Sequence, residues 1–147
     1  MSQGVSVTLR QQQDFRFEIE FAPGMPTVTS DEPPPLGAGS GPAPTHLLVA
    51  AVANCLSASL LFALRKFKQD PGGIRTEASC VVDRNERNRL RVLSITVNLN
   101  LGKPATELEH LDRVLAQFED FCTVSQSVGA GIPITAHVTD GAGVKLK

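Results

Sequence analysis

The sequence lacks the groups on which nucleic-acid and nucleotide sites usually depend. It has no tryptophan and no tyrosine in 147 residues, and 14 lysines and arginines against 15 acidic residues leave a net charge of −1. Without a basic field, and with stacking left to seven phenylalanines that the pattern places largely in a core, we expect no nucleic-acid partner. Neither G-x-G-x-x-G nor G-x-x-x-x-G-K-[ST] occurs, so we expect no nucleotide cofactor.

Cysteine is also scarce. The three cysteines stand far apart at Cys55, Cys80 and Cys122, and no C-x-x-C or H-x-x-x-H spacing is present. An odd, dispersed set does not form the disulfide framework of a secreted domain and does not indicate a metal site. The first residues also lack the basic and apolar regions of a signal peptide. We therefore expect a cytoplasmic protein with reduced thiols and no bound metal.

The length suits a single domain over 1–147 that begins with two strands. Apolar and polar residues alternate in VSVTLR (5–10) and in FRFEIEF (15–21), as in half-buried antiparallel strands. The polar QQQD between them is predicted to be a turn. Residues 22–44 hold seven prolines and four glycines, which predicts a long loop that is neither helix nor central strand.

A long helix is predicted over 45–68, with Thr45 as a candidate cap. No charged residue occurs from Leu47 to Leu64, and apolar residues run all round the helix. Such a helix is buried on every side or spans a membrane. Its length is at the lower limit for spanning and its many alanines make it only weakly hydrophobic, so we expect no membrane partner. A chain this small buries such a helix most readily as a homodimer.

The remaining pattern predicts strands at 74–83 and 90–101, joined by a hairpin loop, and a second helix over 104–121. A last strand follows at 132–139, and the tail 140–147 is expected to be frayed. The resulting order is ββ-α-ββ-α-β. Strands in runs rather than in single alternation with helices indicate an α+β fold with an antiparallel sheet backed by helices.

The cysteines are open to two interpretations on residue chemistry alone. Free cysteine is among the most buried residue types, so Cys55 in the middle of the long helix and Cys122 at the end of an apolar stripe are both candidates for core packing. Burial statistics favour core packing, and the alternative is that either cysteine is a nucleophile. Cys80 lies in a predicted strand with no chemical context and is taken as structural.

Two motifs resemble the OsmC/Ohr family. DEPPPLGAGSGPAPTHLLVAAVANCLSASL (31–60) is similar to its proline- and glycine-rich loop leading into a long helix, with Cys55 eleven residues after Pro44. CTVS, beginning at Cys122, followed by GIP, beginning at Gly131, is similar to its second motif. The resemblance covers nearly the whole chain and implies the OsmC-like fold as an intertwined dimer.

The resemblance also implies a thiol-dependent peroxidase of oxidative stress defence that reduces organic hydroperoxides. In that family pattern Cys55 resembles the attacking cysteine and Cys122 the resolving one, with an external dithiol as reductant. A cation must stabilise the thiolate in an apolar site, and Arg16 is the preferred candidate over Arg10.

The sequence departs from the peroxidase branches at the start of the long helix. Those branches carry a Glu directly after the proline, where this chain has Thr45 and then His46. It therefore resembles the broader OsmC-like branch. The alternative function is a non-enzymatic OsmC-like dimer that binds a small apolar or thiol-reactive ligand.

Overall fold

The computed structural model describes residues 2–147 and has α+β architecture, as the sequence predicted. The elements are β1 (Thr8–Gln13), β2 (Arg16–Glu20), β3 (Val28–Ser30), α1 (Pro44–Lys66), β4 (Ile74–Arg84), β5 (Leu90–Leu101), α2 (Leu111–Gln117), α3 (Thr123–Val128) and β6 (Ile134–Thr139). Short 3-10 turns lie at Ala105–Glu107 and Phe118–Phe121. The chain forms two compact units, one ending at Leu48 and one running from Val49 to Lys147.

The first unit contains an antiparallel sheet in the order β1-β2-β3. β1 begins at Thr8, so only the second half of the run predicted as strand over 5–10 is strand. The strand continues through the glutamines that were predicted to be a turn, and Leu9 pairs with Ile19 of β2. Asp14 adopts a positive φ of 51° and makes the turn instead. Aspartate tolerates this left-handed conformation, which allows a tighter turn than the polar run suggested.

The loop predicted over 22–44 contains the short strand β3, which pairs with β2. Directly after β3, the buried carboxylate of Asp31 accepts hydrogen bonds from the backbone N–H groups of Glu32 (2.8 Å), Ala38 (3.2 Å) and Ser40 (3.1 Å) and from Ser40 Oγ (2.8 Å). The bonds from Ser40, and then the backbone bonds from Ala38 and Glu32, outweigh burial and lower the pKa of Asp31. This proline-rich segment is therefore held by one ionised side chain.

Glycine is required at two points of the same loop. A Cβ at Gly37 would collide with the carbonyl oxygen of Glu32 and the carboxylate of Asp31, and one at Gly41 would collide with the carbonyl oxygen of Thr29. Close backbone approach of this kind leaves no room for any other residue.

The second unit contains a sheet in the order β4-β5-β6. β4 and β5 form an antiparallel hairpin, whereas β5 and β6 are parallel. The all-antiparallel sheet predicted from the sequence is therefore wrong for the last pair. The connection from β5 to β6 contains α2 and α3 and has the length that a parallel crossover needs.

One face of α1 packs on this sheet. Val52, Leu56, Leu60 and Leu64 are fully buried. Their partners are core residues of the strands and the crossover: Ile95, Val97, Leu99, Val114, Phe118, Cys122 and Val138. Burial of apolar surface stabilises a fold by about 25 cal/mol per Å². These contacts are therefore the main source of stability in the second unit.

The opposite face of α1 is exposed in the single chain, so complete burial of the helix, predicted for a homodimer, would need a second copy. Ala51, Asn54, Ala58 and Phe62 are all exposed, and Phe62 keeps 61% of its surface. Within residues 2–147, α1 alone is long and apolar enough to cross a membrane, with a mean hydropathy of 2.2 and 33% of that window buried. Core helices of soluble proteins share these properties, which makes length and composition a weak indicator.

The helix predicted over 104–121 is divided into shorter pieces. His110 adopts a positive φ of 59° before α2, and the chain continues after α2 as the 3-10 turn Phe118–Phe121. Apolar spacing cannot distinguish one helix from a series of short turns that bury the same side chains.

The tail 140–147, predicted to be frayed, is paired with the second unit. Leu146 N–H donates to the carbonyl of Val138 at 2.8 Å, and Lys147 Nζ donates to the carbonyl of Leu115 at 2.9 Å. The buried carboxylate of Asp140 accepts three backbone N–H groups, from Ala105 and from two residues of the tail. These hydrogen bonds order the tail. The glycines and lysines in its sequence did not predict this order.

Candidate functional site

Cys55 lies in the middle of α1, at the border between its two faces. Val52 and Leu56 on one side are fully buried, and Asn54 on the other is exposed. Cys55 itself is half-buried and is a free thiol. The helix thus places Cys55 at the edge of the core.

Cys122 lies in the connection between the 3-10 turn Phe118–Phe121 and α3. Its backbone is extended (φ −84°, ψ 97°), which makes it the N-cap of α3, and its Sγ accepts a hydrogen bond from Ser125 N–H at 3.4 Å. Ser125 Oγ donates to the Cys122 carbonyl at 3.3 Å. Cys122 is fully buried in the hydrophobic core.

The structure brings the two thiols together. Burial raises the pKa of Cys55 above its ordinary value, and so does the neighbouring Cys122 side chain. The nearby backbone N–H groups of Val124 and Thr123 lower it. Two free thiols near each other are candidates for a disulfide.

Two phenylalanines and a lysine extend from this pair along α1. The rings of Phe62 and Phe121 meet edge to face, with centroids 6.2 Å apart, and Lys66 Nζ lies 5.9 Å from the Phe121 centroid. Both rings are at least half exposed. The sequence analysis missed these residues, although Phe62 follows Cys55 by two helical turns and Phe121 directly precedes Cys122.

Cys80 is half-buried in β4, opposite Ile95 of β5, and packs against the hydrophobic core. Its contacts are those of a small apolar residue, which agrees with the structural role predicted for it.

Arg16 begins β2 in the first unit, directly after the turn at Asp14. It is exposed and lines a cleft of about 320 Å³ together with Asp31, Pro35 and Ser40. Arg10 is engaged with Glu20 across the hairpin, Nε to Oε1 at 3.1 Å, and this bond and charge raise the pKa of Arg10. Arg16 is therefore the freer of the two candidate arginines, and its pairing with Cys55 stays a prediction.

His46, and not the candidate Thr45, caps the start of α1. α1 begins at Pro44, and His46 Nδ1 accepts a hydrogen bond from the backbone N–H of Ala43 at 3.1 Å. This is the contact that a glutamate makes in a capping box, so Thr45 is not the cap. The signal in the sequence was a proline at the first helical position with an acceptor two residues later.

Metal ligation has no candidate in the part of the chain that the structure describes. No group of three or more His, Cys, Asp or Glu side chains in residues 2–147 is arranged around a common point.

Solved structures share this fold. An OsmC-like protein of unknown function from Vibrio cholerae superposes with a TM-score of 0.78 at 14% identity, covering 93% of this chain and 99% of that one. The organic hydroperoxide resistance protein OhrB of Bacillus subtilis gives 0.71 at 17% identity, with 92% and 98% covered. A Vibrio cholerae protein described as an organic hydroperoxide resistance protein, with captopril bound in one active site, gives 0.74 at 16% identity, with 99% and 97% covered.

No curated protein matches the chain in sequence. The family model described as OsmC-like protein matches residues 37–137, which include the end of the loop before α1, all of α1 and both motif cysteines. The match covers more than half of the chain, and the fold agrees with it. The chain belongs to the OsmC-like protein family.

Proposed function

We propose that this protein is a thiol-dependent peroxidase that reduces organic hydroperoxides through Cys55 and Cys122. The observation that carries the proposal is the proximity of two free thiols, one half-buried and one fully buried. The half-buried member suits attack on a substrate and the fully buried member suits resolution. Structural neighbours described as organic hydroperoxide resistance proteins support the same chemistry.

The reaction proceeds in three balanced steps. The Cys55 thiolate attacks the terminal peroxide oxygen, the O–O bond breaks, and a proton converts the leaving alkoxide to an alcohol, leaving a sulfenic acid on Cys55. The Cys122 thiol then attacks that sulfur, and water leaves as the disulfide forms. An external dithiol reduces the disulfide by exchange and becomes a disulfide itself.

For Cys55 to act as a nucleophile, the raised pKa that its surroundings give it must be overcome. Because burial and the Cys122 side chain raise the pKa of Cys55, the thiol form dominates at neutral pH unless something stabilises the thiolate. The Thr123 and Val124 N–H groups supply part of this stabilisation. We assign the rest to Arg16, the candidate cation that lacks a carboxylate partner in the described hairpin.

A direct test combines intact mass with thiol counting. One equivalent of cumene hydroperoxide should remove two hydrogens from the reduced protein, and peptide mapping should place the new bridge between Cys55 and Cys122. With dithiothreitol present, Cys55→Ser should abolish turnover, and Cys80→Ser, the matched control, should retain it. Three unreacted thiols after peroxide treatment would refute the proposal.

The second candidate function is binding of a small apolar or thiol-reactive ligand without turnover. It is favoured by the raised pKa of Cys55 and by Thr45 at the position where the peroxidase branches carry Glu. A ligand that binds the folded state raises the midpoint of thermal unfolding, and the shift grows with the logarithm of its concentration once the ligand is well above its Kd. Such a shift with no hydroperoxide consumption would establish this function in place of the first.

We also propose that the protein is a homodimer joined through the exposed face of α1. This face carries small and apolar residues and no charge from Leu47 to Leu64. A soluble protein rarely leaves such a surface in water.

A further inference from the structure

Cys122 is held in place from both directions along the chain. On the side of α3, the backbone N–H of Ser125 donates to Cys122 Sγ. On the other side, Cys122 N–H donates at 3.1 Å to the carbonyl oxygen of Glu119, in the 3-10 turn before it. The same carbonyl accepts a hydrogen bond from Gln126 Nε2 of α3 at 3.2 Å. The position of Glu119 therefore helps to set the position of the fully buried thiol.

The side chain of Glu119 is bound by Lys147, a residue of the tail. Lys147 Nζ lies 2.5 Å from Glu119 Oε2 and donates to the carbonyl oxygen of Leu115 in α2 at 2.9 Å. It also lies 5.2 Å from the centroid of the buried Phe118 ring. The side chains of Lys147 and Glu119 are only 36% and 33% exposed, so salt screens this ion pair less than a fully exposed one. One ammonium group thus ties the end of α2 to the turn that follows it.

The backbone of Lys147 is anchored separately from its side chain. Lys147 N–H and Leu146 N–H both donate to the carbonyl oxygen of Val138, at 3.2 and 2.8 Å, and Val138 N–H donates to the carbonyl oxygen of Lys147 at 3.1 Å. Val138 is a fully buried residue of β6. A line of contacts therefore runs from the sheet through Lys147 and Glu119 to the backbone of Cys122.

We infer that Lys147 is a positioning residue for Cys122. Acting through Glu119, it holds the turn so that Cys122 Sγ stays near Cys55. The inference rests on the proposed peroxidase function, which makes Cys122 the resolving thiol. It assigns to the tail a role in the second step of the reaction, in which the disulfide forms.

Two reactions compete for the sulfenic acid on Cys55. In resolution, the Cys122 thiol attacks the sulfenic sulfur, the S–S bond forms, the S–O bond breaks, and the thiol proton leaves with the hydroxyl group as water. In overoxidation, the sulfenic sulfur attacks a second hydroperoxide, the O–O bond breaks, and the products are a sulfinic acid and an alcohol. A poorly placed Cys122 slows the first reaction and leaves more of the sulfur to the second.

The test measures how the Cys55 sulfur divides between these products. After excess cumene hydroperoxide, Lys147→Gln should raise the ratio of sulfinic acid to disulfide about two- to fivefold, the range that one such ion pair supplies. Attack on the first hydroperoxide should not slow, because Cys122 takes no part in it, whereas general loss of structure would slow both steps. Lys147→Arg keeps the charge and should restore the wild-type ratio. Lys145→Gln removes the same charge at an exposed position of the tail and should behave as wild type.

A double variant tests the route through Glu119. Glu119→Gln should raise the ratio as Lys147→Gln does. The two substitutions together should have no larger effect than either one, because both remove the same ion pair. Additive effects, or an equal effect of Lys145→Gln, would overturn the inference.

A redox equilibrium removes the dependence on peroxide. In mixtures of oxidised and reduced dithiothreitol, two electrons and two protons pass between reagent and protein, so the equilibrium constant reports how readily Cys55 and Cys122 form a disulfide. This constant should fall about two- to fivefold in Lys147→Gln and stay unchanged in Lys145→Gln.

The two measurements separate the inference from the proposed function. An unchanged equilibrium constant with an unchanged product ratio would overturn the positioning role and leave the peroxidase standing. A lower constant for Lys147→Gln in a protein that does not consume hydroperoxide would keep the positioning role and remove the peroxidase. A wild-type protein that forms no disulfide in either experiment would overturn both.

Discussion

At the scale of single residues, the chemistry of this protein depends on what surrounds one sulfur atom. Cys55 is half-buried against the core, near Cys122 and the N–H groups of Thr123 and Val124. Burial and the neighbouring thiol favour the protonated form, and the two N–H groups favour the thiolate. The fraction of Cys55 that is thiolate at neutral pH, and with it the reactivity of the sulfur, depends on the balance between these contributions and any cation near the sulfur.

The raised pKa of Cys55 predicts a pH-dependent alkylation rate. A folded-state pKa above the ordinary value keeps the thiol protonated at neutral pH, so its rate with iodoacetamide should rise through a midpoint above that of an ordinary cysteine. Cys122→Ala should lower the midpoint, since it removes both the hydrogen bond and the charge that raise it. Peptide mass spectrometry at each pH follows Cys55 separately.

Cys80→Ala serves as the control for that experiment and should leave the Cys55 midpoint unchanged, because Cys80 lies in β4 and does not contribute to the Cys55 pKa. A Cys55 rate that is already maximal at neutral pH would contradict the prediction. That result would show that the stabilisation of the thiolate proposed for Arg16 outweighs burial and the Cys122 side chain.

At the scale of elements, α1 organises the second unit. Its buried face forms much of the core, its edge carries Cys55, and its first turn is closed by the bond from Ala43 N–H to His46 Nδ1. The first four N–H groups of a helix have no partner within it, so an acceptor at this position stabilises the helix start. Here a histidine takes the place usually held by glutamate or glutamine.

Loss of this cap should destabilise the protein. His46→Ala should lower the free energy of unfolding by about 0.5–1 kcal/mol, as for other capping side chains. His46→Glu should restore most of the loss because a carboxylate there accepts the same N–H and favours the helix dipole. Urea denaturation followed by circular dichroism measures both.

Thr45→Ala is the matched control, since the exposed Thr45 neighbours His46 and does not cap the helix. It should change the free energy of unfolding by less than about 0.5 kcal/mol. A larger loss for Thr45→Ala than for His46→Ala would show that the helix start depends on a different contact.

At the scale of the whole molecule, the chain leaves an unusual amount of surface in water. A monomeric protein of 15.7 kDa exposes about 7,300 Å² by the usual scaling of area with mass. This chain exposes 9797 Å², including the uncharged face of α1. The excess is of the size that a stable interface between two copies would cover.

The proposed dimer can be tested by light scattering. Wild-type protein at micromolar concentration should have about twice the chain mass of 15.7 kDa. Ala58→Glu should bring the mass close to that of one chain, because it places an unpaired charge in the middle of the joined face. Ala130→Glu, at an exposed alanine away from α1, should remain dimeric. A wild-type mass of one chain would exclude the dimer.

Some features were predictable because their causes are local. The absence of charge from Leu47 to Leu64, with Pro44 before it and Arg65 and Lys66 at its end, specifies α1 within two residues. Alternation along β4 and β5 likewise specifies the hairpin. The spacing of these apolar side chains lies within the element that buries them. The element could therefore be predicted without knowing what it packs against.

Other features escaped sequence reasoning because their causes are distant along the chain. The break at His110, the parallel pairing of β6 and the ordered tail all depend on contacts with segments far away in sequence. Short-range periodicity carries no information on such contacts. Apolar spacing over 104–121 was therefore compatible with one helix and with several turns.

The sequence by itself determined the α+β class, the long helix and the two motif cysteines, since composition and spacing encode these directly. Only the tertiary structure decided that Cys55 and Cys122 lie near each other and that the rings of Phe62 and Phe121 meet. The physical reason is that the core of the second unit brings α1 and the connection before α3 together. A contact between segments so far apart is set by the packing of everything between them.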